Sequence, residues 1–241
     1  MRASIFFLFI LFIVSCKKED NVFVKPQIPA IVGKTYSALE LTGFKQLVFN
    51  APGGDGASVR KWRSKEMLVY MVDTSFTYIN NELDSIIRDF NLLTSPELLL
   101  KRTTDKSAAT LLIYLTDKRT FFEAQPGAFV SYQTLSRIGF TYAFWGGDKK
   151  IDSAVIFNDI TRPDNNTELA NRYVMRHEMM HALGFFGHVK LTEFDDSCLY
   201  DVFNFVTVYS PFDKRMITLL YNPAITAGMR EIELNNALVN L

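Results

Sequence analysis

Every histidine of the chain lies in one short segment, residues 177–188, which reads HEMMHALGFFGH. His177 and His181 are four positions apart, so on a helix with 3.6 residues per turn they lie about 40° apart and can reach one metal ion. Glu178 lies at the edge of the same helix face, where its carboxylate can reach a water held by the metal without being a ligand. The spacing therefore predicts a helical metal site with Glu178 as the general base.

A third ligand is predicted from the residues that follow the helix. Gly184 favours a helix end, because glycine adopts the left-handed C-terminal conformation at little cost. Since Gly184 and Gly187 both tolerate positive φ, the loop between them can turn back and offer His188 to the metal. The alternative third ligand is a carboxylate further along, Glu193 or Asp195, but neutral imidazole is the better zinc ligand.

The pattern His-Glu-x-x-His is the zincin signature, and its extension by a glycine and a third histidine resembles the metzincin clan of zinc metallopeptidases. In that clan the third histidine stands three positions after the glycine, whereas here Gly187 holds that position and His188 follows. The resemblance implies one Zn²⁺ ion, a peptide or protein substrate and a zinc metalloendopeptidase (hydrolase) with Glu178 as the catalytic base. The alternative is a non-catalytic lipoprotein that uses the domain for binding or scaffolding. Glu178 favours the enzyme, because a structural zinc site needs a closed ligand set and no general base.

Residues 196–201, DSCLYD, resemble the tight turn that lies beneath the zinc in metzincins, with Leu199 where the clan has methionine. Tyr200 in this segment is a candidate hydrogen-bond donor to a developing oxyanion. Cys198 is predicted to be a small buried hydrophobic residue.

The elements that must position these residues are predicted from hydrophobic periodicity and from turn and cap signals. Strands are predicted at residues 66–73, at 109–115 in the centre of a sheet, and at 138–145 and 154–157, which a turn at 146–150 joins as a hairpin. One helix begins near Ser75 or Thr77 and carries the apolar stripe Ile79, Leu83, Ile86, Ile87 and Phe90.

The helix that carries the metal ligands is predicted to end at Leu183, with Asn165 as N-cap and Glu168 completing a capping box. A further helix begins with Ser210 as N-cap and Pro211 at its first position. These elements predict an α/β (α+β) fold, and the resemblance implies that it is of the zincin type. Its mixed twisted sheet carries an active-site helix and a backing helix.

The N-terminal residues predict that the protein is exported and anchored to a membrane. Arg2 precedes an apolar run at residues 5–14, which is far shorter than the ~20 residues that span a bilayer. The run ends in Ile-Val-Ser-Cys, which resembles the lipobox of bacterial lipoproteins and implies that Cys16 is lipidated. The resemblance implies attachment to the bacterial cell envelope at the outer membrane. The charged residues 17–20 also resemble a surface-export signal.

The predicted organisation is therefore a lipoprotein signal peptide (1–15), a lipidated N-terminus and tether (16–62), a metallopeptidase domain (63–225) and a C-terminal tail (226–241). Within the tether, residues 46–49 show a short apolar alternation typical of a hairpin. A hydrophobic content of 48% is ample for a packed core. Twenty-six basic and twenty-six acidic residues, with no long basic run, argue against a nucleic-acid partner. No oligomeric state is predicted.

Overall fold

A six-stranded sheet and the helix that carries the histidines form the frame of the fold. The computed structural model describes residues 36–49, 58–126, 138–202, 204–239 and 241. In chain order the elements are α1 (Ala38–Phe49), β1 (Lys61–Trp62), β2 (Glu66–Met71), α2 (Thr77–Thr94), β3 (Leu99–Arg102), β4 (Leu111–Leu115), α3 (Lys118–Ala124), β5 (Gly139–Trp145), β6 (Lys150–Asn158), α4 (Glu168–Leu183), a 3₁₀ turn (Thr192–Phe194), α5 (Pro211–Leu220) and α6 (Glu231–Val239).

The sheet has the strand order β1-β6-β4-β2-β3, and all of these neighbours are parallel. Strand β4 lies between β2 and β6, and Leu111, Ile113, Tyr114 and Leu115 are buried, as its apolar run predicted. Strand β5 pairs antiparallel with β6, which confirms the predicted hairpin. The mixed α/β (α+β) fold class is confirmed.

Helices α2 and α4 contact each other. The buried face of α2 includes Ile79, Leu83, Ile86 and Phe90, which confirms the predicted stripe, whereas Ile87 is only partly buried. The buried carboxylate of Glu82 on α2 pairs with Arg176 and, at 2.7 Å, with Arg172, both on α4. This pairing fixes the register of α2 against the helix that carries the histidines.

Helix α4 ends at Leu183 as predicted, but its predicted N-cap was wrong. The N-cap is Thr167, whose hydroxyl accepts a hydrogen bond from Ala170 N at 3.2 Å. Asn165 is fully buried two residues earlier and donates its side-chain amide to Asn158 Oδ1 at 2.6 Å. The side chain of Asn165 therefore ties the loop to the end of β6 and does not cap the helix.

The predicted hairpin at residues 46–49 was also wrong, because these residues form the last turn of α1. Phe44, Leu47 and Val48 follow helical spacing and are fully buried in the main core. Helix α6 buries Leu234 and Leu238 in the same core. The packed unit therefore extends beyond the predicted 63–225 domain at both ends.

The predicted signal peptide and Cys16 lie outside the described residues, so lipidation stays a prediction. Within the described part of the chain, no helix has both the length and the apolar character needed to cross a membrane.

Candidate metal centre

The three imidazoles meet at the C-terminal end of α4. His177 Nε2 lies 3.1 Å from His181 Nε2 and 3.2 Å from His188 Nε2. Three nitrogens bound to one tetrahedral ion at 2.0–2.1 Å would lie about 3.3 Å apart. Among the described residues, these histidines are the only cluster of at least three His, Cys, Asp or Glu side chains with metal-binding spacing. They could therefore hold a metal ion, and neither Glu193 nor Asp195 belongs to the cluster.

The contacts of the Nδ1 atoms show which tautomers His177 and His181 adopt. His177 Nδ1 lies 2.7 Å from the carbonyl oxygen of Cys198, and His181 Nδ1 contacts the carbonyl oxygen of Phe185. Because a carbonyl only accepts, both Nδ1 atoms must carry the proton, and each neutral ring presents an Nε2 lone pair. Two lone pairs that face each other at 3.1 Å repel unless a cation lies between them. The donor set therefore fits a metal ion.

Gly184 ends the helix immediately before the loop that carries the third histidine. Its φ is 120°, and its N–H donates to His181 O at 3.0 Å. A Cβ at this position would lie 2.4 Å from the carbonyl oxygen of Arg60. A side chain is therefore excluded both by the backbone conformation and by the close approach of a second segment.

The last carbonyl groups of α4 are bound by side chains from elsewhere in the core. Trp62 Nε1 donates to Ala182 O at 2.8 Å, and the hydroxyl of Tyr221 donates to Leu183 O at 2.8 Å. These bonds satisfy groups that a helix end leaves without an intrahelical partner. The turn that carries His181 is thus held by residues outside α4.

His188 is held by main-chain hydrogen bonds on both sides. Gly187 N donates to Leu47 O, near the end of α1, at 2.9 Å. On the other side, Val189 N donates to Leu199 O at 2.9 Å. Helix α1, predicted to be part of a tether, therefore helps to place the third histidine.

A buried carboxylate supports the turn behind His177. Asp213 accepts hydrogen bonds from Ser197 Oγ at 2.6 Å, Cys198 N at 3.1 Å and Ser210 N at 3.0 Å. Burial raises the pKa of Asp213 above its ordinary value, although these hydrogen bonds oppose the shift. The contacts connect the N-terminus of α5 to the carbonyl group that orients His177.

Glu178 lies beside the ligand pair and is only 4% exposed. The hydroxyl of Thr141 on β5 lies 2.9 Å from Glu178 Oε2 and 2.8 Å from Glu178 O. The carboxylate is thus held next to the histidines by a neighbouring strand.

An open cavity of about 470 Å³ joins these groups. It is lined by Ile138, Gly139, Phe140, Thr141, Tyr173, Val174, His177, Glu178, His181, Phe186, His188, Tyr200 and Asp201. Tyr200 therefore lies at the cavity, while its role as oxyanion donor stays a prediction. Cys198 is fully buried, as predicted, and burial raises the pKa of its thiol.

The family model described as "Protein of unknown function (DUF2927)" matches residues 40–240. The chain belongs to this family. No curated protein matches the chain. The DUF2927 match covers α6 and all but the first two residues of α1.

The candidate site also contains residues that the sequence pattern did not indicate. Tyr173 lines the cavity, its hydroxyl lies 3.5 Å from His177 Nδ1, and burial raises its pKa. Its position four residues before His177 was a usable signal, because residues at that spacing share a helix face. Thr141 and Asp213 gave no such signal, since they reach the site from distant elements.

Proposed function

We propose that the protein is a zinc-dependent metallopeptidase that hydrolyses peptide bonds. The observation that carries this proposal is the convergence of three imidazole Nε2 atoms beside the buried Glu178, in a cavity open to substrate. Three nitrogen ligands suit zinc, and catalytic zinc sites use three protein ligands where structural sites use four. Among the described residues, the cluster offers three ligands and no fourth.

The chain's own residues divide the chemistry between them. His177, His181 and His188 would hold the Zn²⁺ ion, which would lower the pKa of a bound water towards about 7 and polarise a carbonyl oxygen of the substrate. Glu178 takes a proton from the attacking water and later delivers it to the leaving amine. Tyr200 donates to the oxyanion that develops on the substrate. The Nδ1 hydrogen bonds of His177 and His181 keep both rings oriented throughout.

The test compares metal content and peptide cleavage in matched glutamate variants. Glu178→Ala is expected to keep its zinc and lose hydrolysis by about 10²- to 10⁴-fold, because general-base catalysis contributes that much. Glu193→Ala removes a partly buried carboxylate outside the histidine cluster, so this variant should keep both its zinc and its peptide cleavage. Full turnover in Glu178→Ala would refute the mechanism. A zinc-loaded wild type that cleaves nothing in a peptide library would instead favour the binding or scaffolding function.

We also propose that Cys16 carries the lipid that anchors the protein to the outer membrane. Two or more acyl chains, at roughly 0.8 kcal/mol per buried methylene, give stable attachment. Cys16→Ser should move the protein from the membrane fraction to the soluble fraction, and an unchanged distribution would contradict lipidation.

A further inference from the structure

Strand β5 presents two small residues to α4 at the metal centre. Gly139 and Thr141 are two positions apart and therefore share one face of the strand. Phe140 between them packs in a separate apolar cluster with Phe121 and Phe157. Beside the metal centre, this face of β5 thus carries a glycine and a hydroxyl side chain.

Thr141 contacts Glu178 at two points. Its Oγ1 lies 2.8 Å from the main-chain oxygen of Glu178 and 2.9 Å from the carboxylate Oε2. The threonine has one hydroxyl proton for these two acceptors, so it shares the proton between them, and an ionised carboxylate accepts it more strongly than a main-chain carbonyl does. Because Oγ1 lies against both oxygens, it places Oε2 at a fixed point relative to the helix backbone.

Gly139 provides the space on the other side of the carboxylate. A Cβ at this position would lie 2.5 Å from Val174 Cγ1 and 3.1 Å from Glu178 Oε1. Any side chain would therefore force Val174 or β5 to shift and would crowd Oε1. Gly139 and Glu178 also both line the cavity, so the crowded space is the one a substrate would use.

We propose that Gly139 and Thr141 position the Glu178 carboxylate, with Thr141 holding Oε2 and Gly139 leaving Oε1 as the oxygen that exchanges the proton. This inference rests on the proposed peptidase function and assigns the orientation of its base to β5. Thr141 is a positioning residue, since it acts through Glu178. A displacement of about 1 Å in such a group can lower a rate by 10²-fold.

The experiment uses the full chain as purified, with bound zinc measured in every variant. Thr141→Val removes the hydroxyl and keeps the shape, and Thr141→Ser restores the hydroxyl. Thr218→Val is the matched control, because the Thr218 hydroxyl bonds only a main-chain oxygen, Lys214 O at 3.0 Å, on exposed α5 surface. Each threonine variant is also made with Glu178→Ala, and melting temperatures give a double-mutant cycle that needs no activity.

We expect Thr141→Val to lower Tm by roughly 3–8 °C beside Glu178 and by less beside Glu178→Ala, where only the bond to the main-chain oxygen remains to be lost. Thr218→Val should show the same shift in both backgrounds. We further expect Thr141→Val to lower kcat on a cleaved peptide by about 10- to 100-fold with KM and zinc content unchanged. Thr141→Ser should recover most of that loss.

The outcomes separate the two proposals. Additive Tm shifts for Thr141→Val and Glu178→Ala would overturn the positioning role whatever the activity shows. An unchanged kcat in Thr141→Val would overturn it as well. A wild type without any hydrolysis would overturn the peptidase function, and the Tm cycle alone would then decide whether β5 holds Glu178.

Discussion

Asp213 gives the sharpest test of how the fold supports the metal centre, because it contacts none of the ligands. We expect Asp213→Ala to weaken metal binding and lower stability together. In the native protein its carboxylate accepts hydrogen bonds from Ser197 Oγ, Cys198 N and Ser210 N at 2.6, 3.1 and 3.0 Å. The Cys198 carbonyl oxygen in turn accepts from His177 Nδ1 at 2.7 Å.

The magnitude follows from these contacts. Alanine would leave the N–H groups of Cys198 and Ser210 buried without an acceptor, at a cost of about 1–3 kcal/mol each, or about 2–6 kcal/mol of unfolding free energy. Loss of groups that orient metal ligands typically costs about 10- to 100-fold in affinity, or about 1.4–2.8 kcal/mol. Asp213→Asn keeps one acceptor oxygen for the two N–H groups, so we expect smaller losses in both quantities.

The assay is competition for zinc with a chelator beside urea unfolding. Asp117→Ala is the control, because Asp117 caps α3 in a similar way, accepting from Arg119 N and Thr120 N, but lies outside the residues of the metal centre. It should lose about 0.5–2 kcal/mol of stability with unchanged zinc affinity. A destabilised Asp213→Ala that binds zinc like wild type would refute the link to His177. If the alanine variant does not fold, Asp213→Asn decides the matter in the same assay.

Three further predictions concern the third ligand, an ion pair and the helix end. His188→Ala should weaken zinc binding by more than the roughly 100-fold that is lost when a residue that only orients a ligand is changed. Glu193→Ala should bind zinc like wild type. Competition with a chelator measures both affinities, and the reverse result would make Glu193 the ligand. Burial acts to raise the pKa of Glu40, but hydrogen bonds, chiefly from Arg215, outweigh it and the pKa lies below the ordinary value. The Glu40–Arg215 ion pair therefore stabilises the fold fully above the ordinary glutamate pKa, and this stability is lost as pH falls through the lowered pKa. Glu40→Gln should flatten the acid side of a plot of the free energy of unfolding, measured in urea, against pH. An unchanged plot would contradict this. Gly184→Ala should lower the free energy of unfolding by about 2–4 kcal/mol in the same assay, because alanine is strained at a φ of 120°. An unfolding midpoint equal to that of the wild type would contradict this strain.

The clustering of the three histidines could be predicted because their arrangement is local. His177 and His181 share a face through helical spacing alone, and two glycines bracket the loop that returns His188. The start of α4 was less certain, because Asn165, Asn166 and Thr167 are all residue types that favour the N-cap position. The sequence alone does not show that the side chain of Asn165 instead bonds the end of β6.

The supporting residues could not be predicted, because they come from distant segments. Thr141 precedes Glu178 by 37 positions and Asp213 follows Cys198 by 15. The role of α1 was missed for a different reason. A four-residue alternation is too short to separate strand from helix, and the helical spacing of Phe44, Leu47 and Val48 becomes clear only over a longer window.

The hydrogen bonds from Trp62 and Tyr221 to the last carbonyls of α4 bear on the order of assembly. Because core side chains hold the turn that carries His181, we expect the chain to fold before it binds the proposed ion, unlike small zinc-finger domains that need metal to fold. If the protein is exported, as its N-terminal residues predict, metal binding would then follow translocation. The supply of divalent ions outside the cytoplasm, together with the Irving–Williams order, would decide which ion first occupies the site.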